Sequence, residues 1–238
     1  QQEKLIINER HEAWGSLARK LAHEIKNPLT PIQLTIDRLK SKYSSQLSEK
    51  DKDNFKENLK IINNQIKQIE KLVNEFSDFA RMPKPIFQKN DLAELIIENI
   101  KLLQELDLTI KIDFIHNNQQ LFFDGDKEQL SRVFLNLIKN SIESIQQKTE
   151  KVSDFNKNIT IELNNFDSHI SLVINDNGIG FKNLNNNIKE ILNPYFTTKK
   201  KGTGLGLSIV NKIINDHNGN IEFISKADGA IIKIIFKK

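Results

Sequence analysis

One histidine in the segment LAHEIKNPLTPIQL, residues 21–34, has neighbours that could make it a nucleophile. Glu24 is adjacent to it, Asn27 lies one helical turn later, and Pro28 lacks the amide that would bond to the Glu24 carbonyl. An imidazole can attack an electrophile while a nearby carboxylate accepts its ring proton, and the missing hydrogen bond would loosen the helix there. The segment therefore indicates nucleophilic chemistry at His23, and the alternative is an ordinary surface histidine.

Two glycine-rich segments in the second half of the chain could bind a nucleotide. In NDNGIG, residues 175–180, Asp176 follows a predicted strand, where its carboxylate could accept a hydrogen bond from an exocyclic amine. Gly178 and Gly180 would let a ligand approach the backbone. KGTGLGLSIV, residues 201–210, runs directly into a predicted helix, so its free amides and the positive helix end could hold phosphates. Neither segment has the spacing of a Walker loop or a dinucleotide fingerprint, so a different nucleotide-binding fold is expected.

A polar stripe precedes these glycine segments. Asn136, Lys139, Asn140 and Glu143 recur at steps of three and four, which places them on one face of a predicted helix. Amide oxygens there could bind Mg²⁺ and the lysine could contact phosphates. The alternative is a solvated helix face.

The segment NPYFTTKKKG, residues 193–202, lies between the two glycine segments. Its Phe196, Thr197, Thr198 and Lys199 could belong to a mobile lid over the nucleotide. The alternative is a plain surface loop.

Two long helices are predicted in the first third of the chain, because residues recur along them at alternating steps of four and three. The first seam comprises Trp14, Ala18, Leu21, Ile25, Pro28, Ile32, Thr35 and Leu39, and the second comprises Phe55, Leu59, Ile62, Ile66, Ile69, Val73, Phe76 and Ala80. The polar segment 41–51 would connect the helices into an antiparallel hairpin. One hairpin cannot cover both seams, so a dimeric four-helix bundle is predicted. His23 lies two positions, about 200°, from Leu21 and Ile25, and is predicted to face solvent.

A second domain is predicted after Pro83 and Pro85, which end the helical pattern. We assign residues 1–82 to the hairpin, 83–90 to a linker and 91–238 to the second domain. The hydrophobic period there predicts helices over 92–105, 126–147 and 208–217, and strands over 108–115, 158–163, 169–176, 220–225 and 230–236. The predicted fold class is α+β, with a two-layer sandwich after the hairpin.

The composition of the 238 residues excludes several classes of function. There is no cysteine, which excludes disulfides, thiolate catalysis and cysteine-held metals. The net charge of +4 comes from 35 basic and 31 acidic residues scattered along the chain, so no nucleic-acid partner is expected. No apolar run approaches the roughly 18 to 20 residues of a membrane-spanning helix. The chain begins without Met inside a charged segment, so we expect a fragment that lacks upstream sequence, with membrane spans among the missing part.

Five motifs together carry a family resemblance. AHEIKNPLTP, NLIKNSIES, DNGIG, PYFTTK and GTGLGL, in this order, resemble the H, N, first glycine, F and second glycine boxes of two-component sensor histidine kinases. The string AWGSLARKLAHEIKNPLTPIQLTIDRLKSKY further resembles the NtrY-type nitrogen-regulation branch. The resemblance implies that the hairpin is a dimerisation and histidine phosphotransfer domain. It also implies that the sandwich is a catalytic domain of the Bergerat (GHKL) ATP-binding type.

The resemblance also assigns roles to residues. His23 would be the phosphoacceptor, Glu24 its general base, and Asn27 the residue that positions water for a phosphatase reaction. Asn140 would hold Mg²⁺ and Asp176 would bind the adenine amino group. Further nucleotide-binding residues would be Asn136, Lys139, Glu143, Gly178, Gly180, Phe196, Thr197, Thr198, Lys199, Gly202, Thr203, Gly204, Leu205, Gly206 and Leu207.

The expected function is transfer of the γ-phosphoryl group of ATP·Mg²⁺ to His23, at Nε2, and then to an aspartate of a response regulator receiver domain of NtrX-like type. The partners implied are this receiver domain and a second copy of the chain. The fragment would be cytoplasmic, and the full-length protein would be anchored in the bacterial inner membrane through its missing N-terminal segments.

Two functions of other classes are alternatives. A pseudokinase scaffold would have lost one of His23, Asn140 or Asp176, and all three are present. The second alternative is a GHKL-type ATPase that drives conformational work, which would need a water-activating acid on the helix that carries the polar stripe. Related ATP-hydrolysing chaperones and mismatch-repair proteins place a glutamate of this kind where Asn136 stands. The only acid within residues 133–144 is Glu143, which follows Asn140 rather than preceding it.

Overall fold

The computed structural model describes residues 2–80, 82–117, 120–152, 154–181, 188–199 and 202–238. The chain forms two compact units. The first comprises Gln1–Pro83 and Thr198–Leu205, and the second comprises Lys84–Thr197 and Gly206–Lys238.

The first unit contains a hairpin of two long helices, as predicted. Helix α1 spans Gln2–Tyr43 and helix α2 spans Glu49–Ala80. Pro28 and Pro31 lie inside α1 without ending it. The connection between the helices is therefore shorter than the predicted segment 41–51.

The hairpin core uses one residue per heptad of each helix. The buried apolar side chains are Ala22, Leu29 and Ile36 in α1 and Leu59, Ile66 and Val73 in α2. The α2 residues belong to the predicted seam, but the predicted α1 seam was wrong by one position within the hairpin. Apolar residues occupy neighbouring positions on α1, so the sequence spacing did not reveal which of them faces α2.

The remaining seam positions are partly exposed. Leu21, Ile25, Ile32 and Leu39 of α1 and Ile62 and Ile69 of α2 are between 37% and 45% exposed. Pro28 and Thr35 are also exposed. The predicted seam positions Trp14 and Ala18 lie outside the residues whose side chains are described. The hairpin therefore presents an apolar face that one chain does not cover.

The second unit is built on a five-stranded mixed sheet with the strand order β2-β4-β5-β7-β6. Its strands are β2 (Lys111–His116), β4 (Asn158–Asn165), β5 (His169–Asp176), β6 (Gly219–Ser225) and β7 (Ala230–Lys237). The β2–β4 pair is parallel and the other pairs are antiparallel. A second, two-stranded sheet pairs β1 (Gln88–Asp91) with β3 (Phe122–Gly125).

Three helices form the second layer of this unit. They are α3 (Leu92–Gln104), α4 (Lys127–Thr149) and α5 (Gly206–Asp216), and a short 3-10 helix spans Ile188–Leu192. Alternate strand residues such as Ile159, Ile161, Ile232 and Ile234 are buried beneath the helices. This arrangement confirms the predicted α+β two-layer fold.

Helix α4 begins at Lys127 because Asp126 caps it. The Asp126 carboxylate accepts a hydrogen bond from the Gln129 amide at 3.0 Å. Its second oxygen accepts one from the Ile86 amide at 2.9 Å. The Asp126 amide donates to Nε2 of the buried His217 at 2.9 Å, which links the start of α4 to the end of α5. These bonds fix the helix that carries the polar stripe.

Candidate functional site

His23 lies exposed on α1, one position after the buried Ala22, as predicted. Nδ2 of Asn27 lies 3.4 Å from Nδ1 of His23. The Asn27 amide can donate its N–H to Nδ1 or, after rotating by 180°, accept the Nδ1–H through its carbonyl oxygen. The second arrangement leaves the lone pair on Nε2, so Asn27 can favour the tautomer in which Nε2 is nucleophilic.

Two prolines change the backbone around this histidine. Because proline has no N–H, Pro28 and Pro31 leave the carbonyls of Glu24 and Asn27 without their usual helical donors. The helix nevertheless continues to Tyr43. The backbone change predicted around His23 therefore amounts to two missing helical hydrogen bonds. They lie beside the exposed Glu24 carboxylate and the exposed Asn27 amide.

Asp176 ends strand β5 and is only 4% exposed. Its Oδ1 accepts a hydrogen bond from the Gly178 amide at 2.9 Å, and its Oδ2 accepts one from the Ser141 hydroxyl at 3.2 Å. Burial raises the pKa of the Asp176 carboxyl, and these donors oppose that increase by stabilising the charged form. A buried carboxylate at the end of a strand is thus held ready to accept a further hydrogen bond.

The DNGIG loop lies directly against helix α4. A Cβ added at Gly178 would be 2.2 Å from the Ser144 hydroxyl and 2.8 Å from the Ile145 amide nitrogen, so no other residue fits there. The Ile179 amide donates to the Ser144 hydroxyl at 3.0 Å. The loop glycine predicted from the sequence is therefore required by contact with the helix.

The sequence did not reveal that the β6–β7 turn supports this loop. Gly229 has a φ of +102°, and a Cβ there would be 1.8 Å from the Asp176 carbonyl oxygen. Lys148 of α4 donates to the Asn177 carbonyl oxygen at 2.7 Å and pairs with Asp228. The Asp228–Gly229 dipeptide between two predicted strands does signal a hairpin turn. Its contact with the DNGIG loop depends on the folded sheet.

The polar stripe on α4 has more than one role. Nδ2 of Asn136 donates to the Arg132 carbonyl at 2.8 Å, and its Oδ1 lies 3.0 Å from where a Cβ on Gly206 would stand. Nζ of Lys139 is 4.0 Å from Oε1 of Glu143, and both side chains are accessible to solvent. Such a surface pair contributes little to stability. Asn140 is half-buried on the same face, one turn beyond Asn136.

The structure divides the remaining candidates between the two units. Phe196 and Thr197 belong to the second unit, and so do Gly206 and Leu207 at the start of α5. The first unit contains Thr198, Lys199, Gly202, Thr203, Gly204 and Leu205. Within it, the Thr203 hydroxyl donates to the Glu75 carboxylate of α2.

Within the second unit the structure brings together some of these candidate residues: Asn136 with Gly206, and Asp176 with Gly178, while Gly180 lies against the β6–β7 turn. Gly180 has a φ of +63°, and a Cβ there would be 2.3 Å from the Gly229 carbonyl oxygen. In the part of the chain that the structure describes, no group of three or more His, Cys, Asp or Glu could hold a metal ion. No helix among the described residues is long and apolar enough to span a membrane.

Two family models match the chain. Residues 13–85 match the His Kinase A (phospho-acceptor) domain, and residues 125–238 match the histidine kinase-, DNA gyrase B-, and HSP90-like ATPase. The first match contains His23 and the second contains Asp176.

Relatives of known description match almost the entire chain. It is 39% identical to an NtrY-like sensor histidine kinase of Rickettsia prowazekii, over 99% of this chain and 38% of that protein. It is 35% identical to the nitrogen regulation protein NtrY of Azorhizobium caulinodans, over 95% of this chain and 29% of that protein. The chain therefore spans less than two fifths of the length of these curated relatives.

A solved structure shares the fold. The histidine kinase ThkA, crystallised in complex with the response regulator protein TrrA, is similar with a TM-score of 0.65 and 26% identity. The similarity covers 100% of this chain and 65% of the ThkA chain.

Proposed function

The chain belongs to the sensor histidine kinases of two-component signalling, and on that premise we propose that it transfers the γ-phosphoryl group of ATP to His23 and then to a response regulator aspartate. The observation that carries the proposal is the exposed imidazole of His23, whose Nδ1 is within reach of the Asn27 amide. An exposed nucleophile can meet both a phosphoryl donor and a receiver domain.

The residues around His23 can carry out the first transfer. The Nε2 lone pair forms the new N–P bond while the bond between the γ-phosphorus and the ADP oxygen breaks. The Nδ1 proton then passes to the neighbouring Glu24 carboxylate, which keeps the phosphorylated ring neutral. Phosphoryl transfer needs little more than positioning and charge neutralisation, so no covalent intermediate elsewhere is required.

The second unit has features that fit a purine nucleotide. Asp176 is a buried acceptor suited to an exocyclic amine, and Gly178 lets the loop that follows it pack against α4. Asn140 offers an amide oxygen, a ligand type that Mg²⁺ accepts, and the bound ion would neutralise phosphate charge. The remaining site residues predicted from the sequence are part of this proposal, including the lid residues and the loop at Gly202–Leu207.

The domain boundaries and the partners are also proposals. Residues 1–82 would form the phosphotransfer domain and residues 91–238 the nucleotide-binding domain. The partly exposed stripe of Leu21, Ile25, Ile32, Ile62 and Ile69 supports a homodimer, because a second hairpin could cover it. ThkA has been crystallised with a response regulator protein, which supports a receiver domain as the phosphoryl acceptor, here of NtrX-like type.

The proposal is tested by incubating the chain with γ-labelled ATP. We expect acid-labile label on the wild-type chain and none on the His23→Ala variant, because phosphorus bound to imidazole nitrogen is lost in acid. The matched control is His169→Ala, which removes a histidine of the other unit and should keep the label. Label that persists in His23→Ala would contradict the assignment. Steady ATP turnover by that variant would instead favour a GHKL-type ATPase.

A further inference from the structure

We propose that Ser141 is a positioning residue for base recognition: its hydroxyl holds the Asp176 carboxylate in the orientation that accepts a hydrogen bond from the exocyclic amine of adenine. This inference rests on the proposed function, since it concerns the base of the bound nucleotide. It adds a residue whose side chain acts through Asp176 rather than through contact with the nucleotide.

Four donors surround the Asp176 carboxylate: the backbone amides of Gly178 and Ala230 and the side chains of Ser141 and Ser144. The Gly178 amide donates to Oδ1 at 2.9 Å and the Ser141 hydroxyl donates to Oδ2 at 3.2 Å. Ser141 is 1% exposed, so water cannot readily replace its hydroxyl. An ionised carboxylate has about four lone-pair directions, so the way its donors orient it decides which direction faces a ligand.

The Gly178 amide and the Ser141 hydroxyl fix different things. The Gly178 amide belongs to the same loop as Asp176 and moves with it. Ser141 belongs to helix α4, a separate element whose neighbouring residues are buried. The torsion that orients a carboxylate has a broad energy profile, so a donor from a rigid element decides the direction of its lone pairs. Ser141, with Ser144 one turn later, therefore ties the carboxylate to the helix.

A second serine of α4 bonds to Asp176 and also holds the loop. Ser144, one turn later on α4, accepts a hydrogen bond from the Ile179 amide at 3.0 Å and contacts the DNGIG loop at Gly178. Removal of the Ser141 hydroxyl leaves this loop contact in place. A Ser141 variant thus changes the orientation of the carboxylate more than the position of the loop.

The orientation of Asp176 matters for the choice of base. Adenine presents an amine donor where hypoxanthine presents a carbonyl acceptor. An ionised carboxylate only accepts, so a fixed one binds the amine and disfavours the carbonyl. Sites built to form a specific hydrogen bond discriminate strongly against analogues that cannot form it. Loss of Ser141 should therefore weaken ATP binding selectively.

The experiment compares the affinities of Mg²⁺-ATP and Mg²⁺-ITP for the wild-type chain and for Ser141→Ala, measured by calorimetry. We expect ATP affinity to fall about tenfold, the size expected for a hydrogen bond to a charged group, while ITP affinity changes by less than about twofold. The matched control is Ser171→Ala. It removes a buried hydroxyl from strand β5 rather than from α4 and should change neither affinity.

Thermal unfolding shows whether Ser141→Ala is folded. If it is not, Ser141→Cys keeps the volume of the side chain with a weak donor, and the same loss of discrimination is expected. An unchanged ratio of the two affinities in the folded variant overturns the inference, whether or not both affinities fall together. Absence of ATP binding to the wild-type chain is a different result, because it contradicts the proposed function itself.

Discussion

At the scale of single residues, Asn27 has two chemical tasks within reach. Its amide lies 3.4 Å from Nδ1 of His23 and is exposed to solvent, so it could orient the ring and, by the family resemblance, also hold a water molecule. Orientation of the ring by one exposed hydrogen bond is a weak effect, because the two neutral tautomers differ little in energy. The positioning of a hydrolytic water is the role that the family resemblance gives to Asn27.

On the proposal that Asn27 positions a hydrolytic water, we expect Asn27→Ala to keep autophosphorylation within about fivefold of the wild-type rate, the effect of roughly 1 kcal/mol, and to lose the phosphatase activity that this role implies. The measurements are label incorporation from ATP and release of phosphate from the phosphorylated receiver domain. Gln33→Ala is the control, because Gln33 is on the same helix and donates to Asp37 rather than to His23. Loss of both activities would show that Asn27 is needed to maintain the local structure.

Some residues of the candidate site could be predicted from their neighbours in the sequence, and others could not. Asp176 and Gly178 were predicted from one pentapeptide, and the structure shows why that spacing is needed, since the Gly178 amide donates back to Asp176. Ser141 and Gly229 could not be predicted as parts of the site. Each lies far from Asp176 along the chain, and only the register of β5 with β7 and the packing of α4 bring them next to it.

At the scale of elements, periodicity predicted the long helices and the five strands of the main sheet, with ends that differ by at most three residues in the second unit. Strands β1 and β3 were not predicted because each has four residues, too few for an alternating pattern. Residues 88–90 of the predicted linker belong to β1. The short strands depend on their pairing with each other rather than on a local preference.

The hairpin core makes a prediction about stability. Leu29 is buried against Ile36, Leu59 and Ile66, so Leu29→Ala should lower the free energy of unfolding of the hairpin by about 2–4 kcal/mol. Leu34→Ala removes the same atoms from a residue that is 55% exposed, and should cost less than about 0.5 kcal/mol. Urea unfolding followed by circular dichroism measures both. Equal losses would contradict the assignment of the hairpin core.

At the scale of the whole molecule, the two units were foreseen from the change in hydrophobic period, but the division between them was not. Thr198–Leu205 groups with the helical hairpin, although the adjoining α5 belongs to the second unit. The order of motifs along the chain does not contain this information. The grouping depends on contacts such as that between Thr203 and Glu75, which are far apart in sequence.

The uncovered face of the hairpin predicts the state of association. Ile69 is 40% exposed in the single chain, and burial of a carboxylate in an apolar interface is costly. We expect Ile69→Asp to convert a dimer into monomers at micromolar concentrations, as measured by sedimentation velocity. Lys67→Asp introduces the same side chain about 200° around the helix and should remain dimeric. A monomeric wild-type chain, or a dimeric Ile69→Asp, would contradict this interface.

The two outer strands of the main sheet have a consequence for association of another kind. β2 and β6 leave one side of their backbones unpaired within the sheet, and such edges can add strands from other molecules and start aggregation. The outer strand β2 carries the ion pair of Lys111 and Asp113, 2.8 Å apart, and β6 exposes Glu222. Charges at these places oppose sheet extension, so we expect concentrated solutions of the chain to associate through helices and to resist fibril formation.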